Sequence, residues 1–313
     1  MKNLISFLLI LSASYSYAWQ IQGKEYQFEK LNDQVYVIHG PQADPSKDNE
    51  GFMNNPGLIL SKNGAIVVDP GASSNIGRKV FNEIRKITDK PILAIINTHN
   101  HGDHWLGNEG IQENYPNIKI YSHEKMLQQA RDEGQNWIEI MEVMTNYATK
   151  GTKTVPPTDG LTHLTEINID GEIFRAHIPN DLGHSDSDLM IEHVGSKTIF
   201  MGDNLFNNRL ARAPADIHKN MASLKYAIDL GMNHYIPGHG PSGSANTAVK
   251  PYLDYFQIIM NEAKKAYDDG KADFEIKPDV NKKLTSYHSW SGYEDSYGKH
   301  LNKLMMEIEA RDF

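Results

Sequence analysis

Short apolar runs rich in β-branched residues, each bounded by Gly, Pro or Asn, recur along the first third of the chain: VYVIHG (35–40), GLILS (57–61) and GAIVVDPG (64–71). That pattern predicts strands. Between the first two lies a polar stretch, 41–56, with Phe52 and Met53 near its end, which reads as a flap or as a long turn. The helical segment SSNIGRKVFNEIRKI (73–87) follows, then the apolar strand PILAIINTH (91–99). Strand, helix, strand is the α/β signature, and such folds place their sites at the carboxyl ends of strands. From His123 to Thr149 the pattern is helical, with Trp137, Ile140, Met141 and Met144 sharing a face, as core packing or as a lid over a substrate. After a break at GTKTVPPTDG (151–160), four strands (162–169, 172–178, 188–194, 197–203), a helix (216–231) and a strand (233–240) repeat the order of the first half. The result predicts a pseudo-duplicated sandwich. Beyond Gly243 the chain turns helical to its end, with apolar positions suited to packing on the main body rather than to a separate domain.

Residues 1–18 change the picture. Lys2, the apolar run Leu4 to Leu11 and small residues ahead of Trp19 form a secretory signal peptide pattern with cleavage after Ala18. The expected mature protein is exported, periplasmic, and without a membrane span once the leader is removed. The chain has no cysteine, so disulfides and a lipid-modified cysteine are excluded, and the core or a bound metal must hold the fold. A net charge of -9 with no long basic run argues against nucleic acid and for a small-molecule substrate. Oligomeric state is left open.

The chemistry concentrates in THNHGDHWLGN (98–108). His99 and His101, two apart at a strand end, can point to the same side. Asp103 and His104 follow where a helix would start and can face a second position. Imidazole and carboxylate together suit a borderline divalent ion such as zinc. Further ligand types follow strand-like runs: His184 in LGHSDSD, Asp203 in FMGDNLF and His239 in IPGHG, each beside a glycine that allows a tight turn. The remaining nine of the fourteen histidines read as surface or satisfied core positions.

H-x-H-x-D-H after a strand, then G-H-S, G-D-x-L-F and P-G-H-G, in that order, resembles the metallo-β-lactamase superfamily over nearly all of the mature chain. The resemblance implies a four-layered αβ/βα sandwich over residues 19–243, with the site on one edge and a helical extension, 244–313, packed on it. It also implies that His99, His101 and His184 hold a first metal, that Asp103, His104 and His239 hold a second, and that Asp203 bridges them. Asp69 in VVDPG matches the family's acidic residue that supports the ligands from behind. Two zinc ions are the expected cofactors, with iron or manganese as alternatives. A water shared by two such ions has its pKa lowered from about 15.7 to roughly 7, so hydroxide is the expected nucleophile and Asp103 its orienting and proton-shuttling partner.

The bridging Asp brings the resemblance closest to glyoxalase II-like thioesterases and to exported hydrolases of the quinoprotein-relay type, whose tails are similar to YLDYF and YHSWSGYEDSY here. A β-lactam-hydrolysing side activity is chemically reasonable, although Phe206 stands where many β-lactamases of the superfamily carry a lysine. Trp105 is a candidate pocket wall or a core residue, and Arg209 and Arg212 are candidates for a substrate carboxylate or solvated surface. A mononuclear iron persulfide dioxygenase of the same fold is the rival enzyme, but seven ligands fit two metals better than one. A phosphodiesterase fits poorly with an acidic chain. A non-catalytic metal-binding protein would have no use for Asp103.

Overall fold

The computed structural model describes residues 19–312; the leader pattern at 1–18 lies outside the described residues. After a small hairpin of β1 (Gln20–Ile21) and β2 (Lys24–Glu25), a first sheet runs through β3 (Glu29–Lys30), β4 (Val35–Val37), β5 (Gly57–Leu60), β6 (Ala65–Val68), β7 (Ile92–Ile96), β8 (Lys119–His123) and β9 (Asp159–Leu161), in that spatial order. The second sheet holds β10 (Glu166–Ile169), β11 (Glu172–His177), β12 (Met190–His193), β13 (Thr198–Phe200) and β14 (His234–Ile236), again in sequence order. Each sheet changes from antiparallel to parallel pairing where a helix intervenes: β6 to β7 across α1 (Ser74–Ile87), and β13 to β14 across α5 (Ile217–Asp229). That shared βαβ unit is the internal duplication.

Alternation along the strands builds the layers. Ile66 and Val68 face Phe174, Ile191, Phe200 and Ile236 across the space between the sheets. Ala65 and Val67 point the other way, onto Ile76, Val80 and Ile84 of α1, whose spacing of four puts them on one stripe. Ser73 caps that helix by accepting from the Ile76 amide. On the outer face of the second sheet, Ile199 and Tyr235 share a cluster with Ile217 and Leu224 of α5 and with Tyr252, Phe256 and Leu301 from the helices that follow. The architecture is the four-layered α/β sandwich.

The sheets are flanked further by α2 (Gly102–Trp105), α3 (Asn108–Gln112), α4 (Met126–Met144) and, past a π-helical turn at Ala245–Val249, α6 (Lys250–Asp268). Two more, α7 (Asp273–Lys283) and α8 (Tyr293–Asp312), close the chain. The expected helix from His123 starts three residues later, because His123 ends β8, whose Ile120 amide and carbonyl are taken by Thr158 beside β9. The 41–56 segment, read as a flap or a long turn, is tied down at its end: Phe52 is fully buried, with its ring 4.4 Å from that of Trp19. Among the described residues no helix is long and apolar enough to cross a membrane.

Candidate metal centre

The strand ends set the geometry. Asp69 follows β6, His99 to His104 follow β7, Asp203 follows β13 and His239 follows β14, while His184 sits in the connection after β11. The structure brings all seven ligand-type residues together in two groups. His99, His101, His184 and Asp203 form one and Asp103, His104 and His239 the other, and within each group the ligand atoms lie within 4.8 Å of one another. Asp203 faces both. Its Oδ2 is 3.8 Å from His99 Nε2 and 3.4 Å from His184 Nε2, and its Oδ1 is 3.1 Å from His104 Nε2 and 3.3 Å from His239 Nε2. Asp103 Oδ2 is 3.4 Å from His104 Nε2 and 3.2 Å from His239 Nε2. A side chain on Gly238 would run into Asp203 Oδ1, so that position needs glycine.

These atoms crowd without pairing. Nε2 of His99, His104 and His239, together with Asp103 Oδ2 and Asp203 Oδ1, are buried and have no hydrogen-bond partner. Orphaned buried polar atoms are costly, and several converging on one volume are what a bound cation would satisfy. The far side of each ring is anchored. His104 Nδ1 lies 2.9 Å from Asp69 Oδ2, and His239 Nδ1 lies 2.9 Å from the Met53 carbonyl, so each Nδ1–H donates outward and Nε2 is the nitrogen turned to the centre. His99 Nδ1 reaches Thr98 Oγ1 at 3.1 Å, and that hydroxyl donates to Asp69 Oδ2 at 2.6 Å. Asp69 thereby steadies one ligand of each group.

Charge follows the same division. Burial lowers His99, His101 and His184, the last to about 3, so these imidazoles are neutral. Burial opposes ionisation of Asp203, but His239, His104 and His184 outweigh it and hold the carboxyl well below the usual range. For Asp103, too, His104 and His239 overcome burial. Burial also opposes charge on His104 and His239, yet the carboxylates around them raise both. Ionised carboxylates and neutral imidazoles are the forms that ligate, and protons held at His104 and His239 are those a cation would displace. The residues fit a divalent metal.

Two candidates from sequence are not at the centre. Trp105 is fully buried among Ala130, Ile138 and Met141, with its indole N–H donating to the Asn100 carbonyl. It follows His104 on one helical turn, and the 100° step that aims His104 at the centre turns Trp105 away. Arg209 is 3% exposed and paired with Asp44 at 2.5 Å, so it holds the 41–56 segment rather than facing solvent. Conversely, sequence reading assigned no role to the Met53 carbonyl, a backbone group that no side-chain pattern reveals. It also left open Trp137, whose ring centroid lies 4.9 Å from that of His101. Asn54 and Asn55 were missed as well: Asn55 Nδ2 donates to the carbonyls of Pro237 and Gly240 on either side of His239, and Asn54 Nδ2 to that of Asp69. A third group, Asp216, His218 and Glu307, also gathers ligand-type atoms, but they are spent on capping α5 and on Arg311.

Residues 49–251 match the Metallo-beta-lactamase superfamily, and the chain belongs to that superfamily. A linear primary-alkylsulfatase of a Pseudomonas species is 36% identical over 95 residues, 29% of this chain and 18% of that protein. A hydroxyacylglutathione hydrolase of Francisella tularensis subsp. holarctica is 27% identical over 160 residues, 51% of this chain and 50% of that protein. The chain therefore spans no more than half the length of these two curated relatives. Among solved structures, a metallo-beta-lactamase from Pontibacter korlensis superposes with a TM-score of 0.58 at 16% identity, over 74% of this chain and 98% of that one. That likeness bears on the fold.

Proposed function

We propose that the chain is an exported dinuclear zinc hydrolase that cleaves an ester, thioester or amide-type bond of a small molecule. The observation that carries this reading is Asp203, which turns one carboxylate oxygen to each of two ligand groups. Divalent ions held there would supply an activated water and a Lewis acid for the carbonyl oxygen. Asp103, ionised and open toward the same volume, is placed to orient that water and take its proton. Water adds to the carbonyl carbon, the bond to oxygen, sulfur or nitrogen breaks, and the proton passes to the leaving group. The hydroxyacylglutathione hydrolase among the relatives supports the reaction class, and a strained β-lactam amide is chemically suited to the same attack. Export rests on residues 1–18 alone.

The test is metal content per chain after unbiased reconstitution, with hydrolysis of thioester, lactone and β-lactam substrates by wild type and Asp103→Ala. Two zinc ions, and turnover lost in the variant, are expected. One iron per chain with oxygen consumed and no hydrolysis would overturn the proposal in favour of a persulfide dioxygenase.

A further inference from the structure

We propose that the C-terminal half of α4 is a rail for the linear aliphatic chain of an acyl substrate whose carbonyl sits at the metal centre. This rests on the hydrolase reading and adds a substrate class to it.

Positions 129, 133, 137, 140 and 144 recur at helical spacing and form one flank of α4. The first two are polar and committed to the loops that carry the ligands. Gln129 Nε2 donates to Asp186 Oδ1 at 2.8 Å, two residues past His184, and Asn100 Nδ2 donates to Glu133 Oε2 at 2.7 Å, between His99 and His101. At Trp137 the flank reaches His101 itself and changes character. Trp137 and Ile140 are half-buried, and Met144 is 46% exposed. Val143 beside it is 70% exposed and Tyr147 59%.

Trp137 also packs against the core cluster under α4, but core packing does not account for Ile140, Val143 and Met144, because the core side of the helix is already supplied by Met126, Ala130, Gly134, Ile138 and Met141. Exposed apolar residues scattered singly need no explanation, but these lie together and are continuous with a ligand histidine. The 41–56 segment comes down on the same end of the helix, where a side chain on Gly51 would stand 2.7 Å from Met141 Cε and 3.5 Å from Thr145 Cγ2. Two residues on, Met53 holds His239. A chain attached to a carbonyl at the centre crosses the Trp137 ring first, then runs past Ile140 to Met144, about 10 Å at 1.5 Å per residue. The surface is apolar, runs along one flank of the helix and ends in an adaptable methionine, which suits an alkyl chain.

The test uses metal-loaded full chain and a series of linear acyl esters, acetyl to decanoyl, sharing one leaving group. Burying a methylene is worth about 0.8 kcal/mol, close to fourfold, so kcat/KM should rise about two- to fourfold per carbon over the first part of the series. Met144→Ser and Val143→Ser should each lower the decanoyl-to-acetyl ratio several-fold, whereas Phe274→Ser, 72% exposed on α7, should leave it unchanged. In a separate arm that needs no turnover, the shift in Trp137 emission on adding butanol to decanol, read against Trp137→Phe, should saturate at lower concentration as the chain lengthens. Hydrolysis at a rate independent of chain length would overturn the rail and leave the hydrolase standing. Alkanol binding without hydrolysis of any ester would support the apolar rail and remove the hydrolase reading. Adsorption to neutral lipid vesicles with no chain-length effect in either arm would make the patch a membrane contact and overturn the proposal.

Discussion

Asp69 offers the sharpest test of how the centre is held, because one buried carboxylate serves both ligand groups. Its Oδ1 accepts from the Thr98 amide at 2.9 Å, and its Oδ2 accepts from the Thr98 hydroxyl at 2.6 Å and from His104 Nδ1–H at 2.9 Å. The residue also sits in the left-handed region, with φ +49°. Asp69→Asn tolerates that backbone but turns an amide group toward a donor, leaving one buried hydrogen bond unmade at a cost of about 1–3 kcal/mol. Asp69→Ala leaves the Thr98 amide and the His104 ring N–H unmet at about 1–3 kcal/mol each and adds about 1–2 kcal/mol of backbone strain, for roughly 3–8 kcal/mol in all. At an unfolding entropy of about 0.6 kcal/mol/K for a chain of this length, Tm should fall by about 2–5 °C for Asn and by about 5–13 °C for Ala. Zinc affinity should weaken by about 10–100-fold, first at the group containing His104. Differential scanning calorimetry of the apo chain and zinc titration by equilibrium dialysis read the two effects separately. An Asn variant that keeps its Tm and binds zinc as tightly as wild type at both groups would refute the anchoring role.

His300 should make stability fall with acidification in a defined window. Burial lowers it to about 4, with Lys299 adding to the effect, while Nδ1 accepts from the Tyr255 hydroxyl and Nε2–H donates to the Ala211 carbonyl. Between the unfolded value near 6.5 and about 4 the unfolded chain binds a proton that the folded one does not. Stability is therefore retained above about 6.5 and drops by roughly 3 kcal/mol on the way to pH 4. Urea melts from pH 7 to 4 should show that loss reduced in His300→Gln, and parallel profiles would contradict it. Phe206→Lys, which restores the lysine of many β-lactamases, should cost about 3–5 kcal/mol by burying an unpaired charge. The Phe206 ring is stacked on His239 at 5.1 Å and lies 5.9 Å from Tyr252, so no gain in nitrocefin-type hydrolysis is expected in a paired melt and activity assay.

What sequence made legible was whatever repeats at a fixed period or sits at a strand end. The apolar stripe of α1 and the continuous apolar runs of β6 and β7 identify themselves, and so do histidines and aspartates that follow strands. β8 is not legible, because KIYSH is short and runs into a strongly helical pattern, and only its pairing with β7 and β9 makes it a strand. Trp105 and Trp137 show the limit more clearly. Both are aromatic and near the motif in sequence or in pattern, yet the first turns into the core and the second lies on His101. The difference is set by how α4 lies across α2, a tertiary fact with no local trace. Arg209 is similar: its exposure depends on Asp44, 165 positions away. Met53 lies beyond side-chain reading altogether, since it acts through its carbonyl, and what puts that carbonyl against His239 is the Asn55 side chain pinned to Pro237 and Gly240. Ligands are thus written in residue types, while the anchors that orient them and the walls that choose a substrate are written in contacts between distant segments.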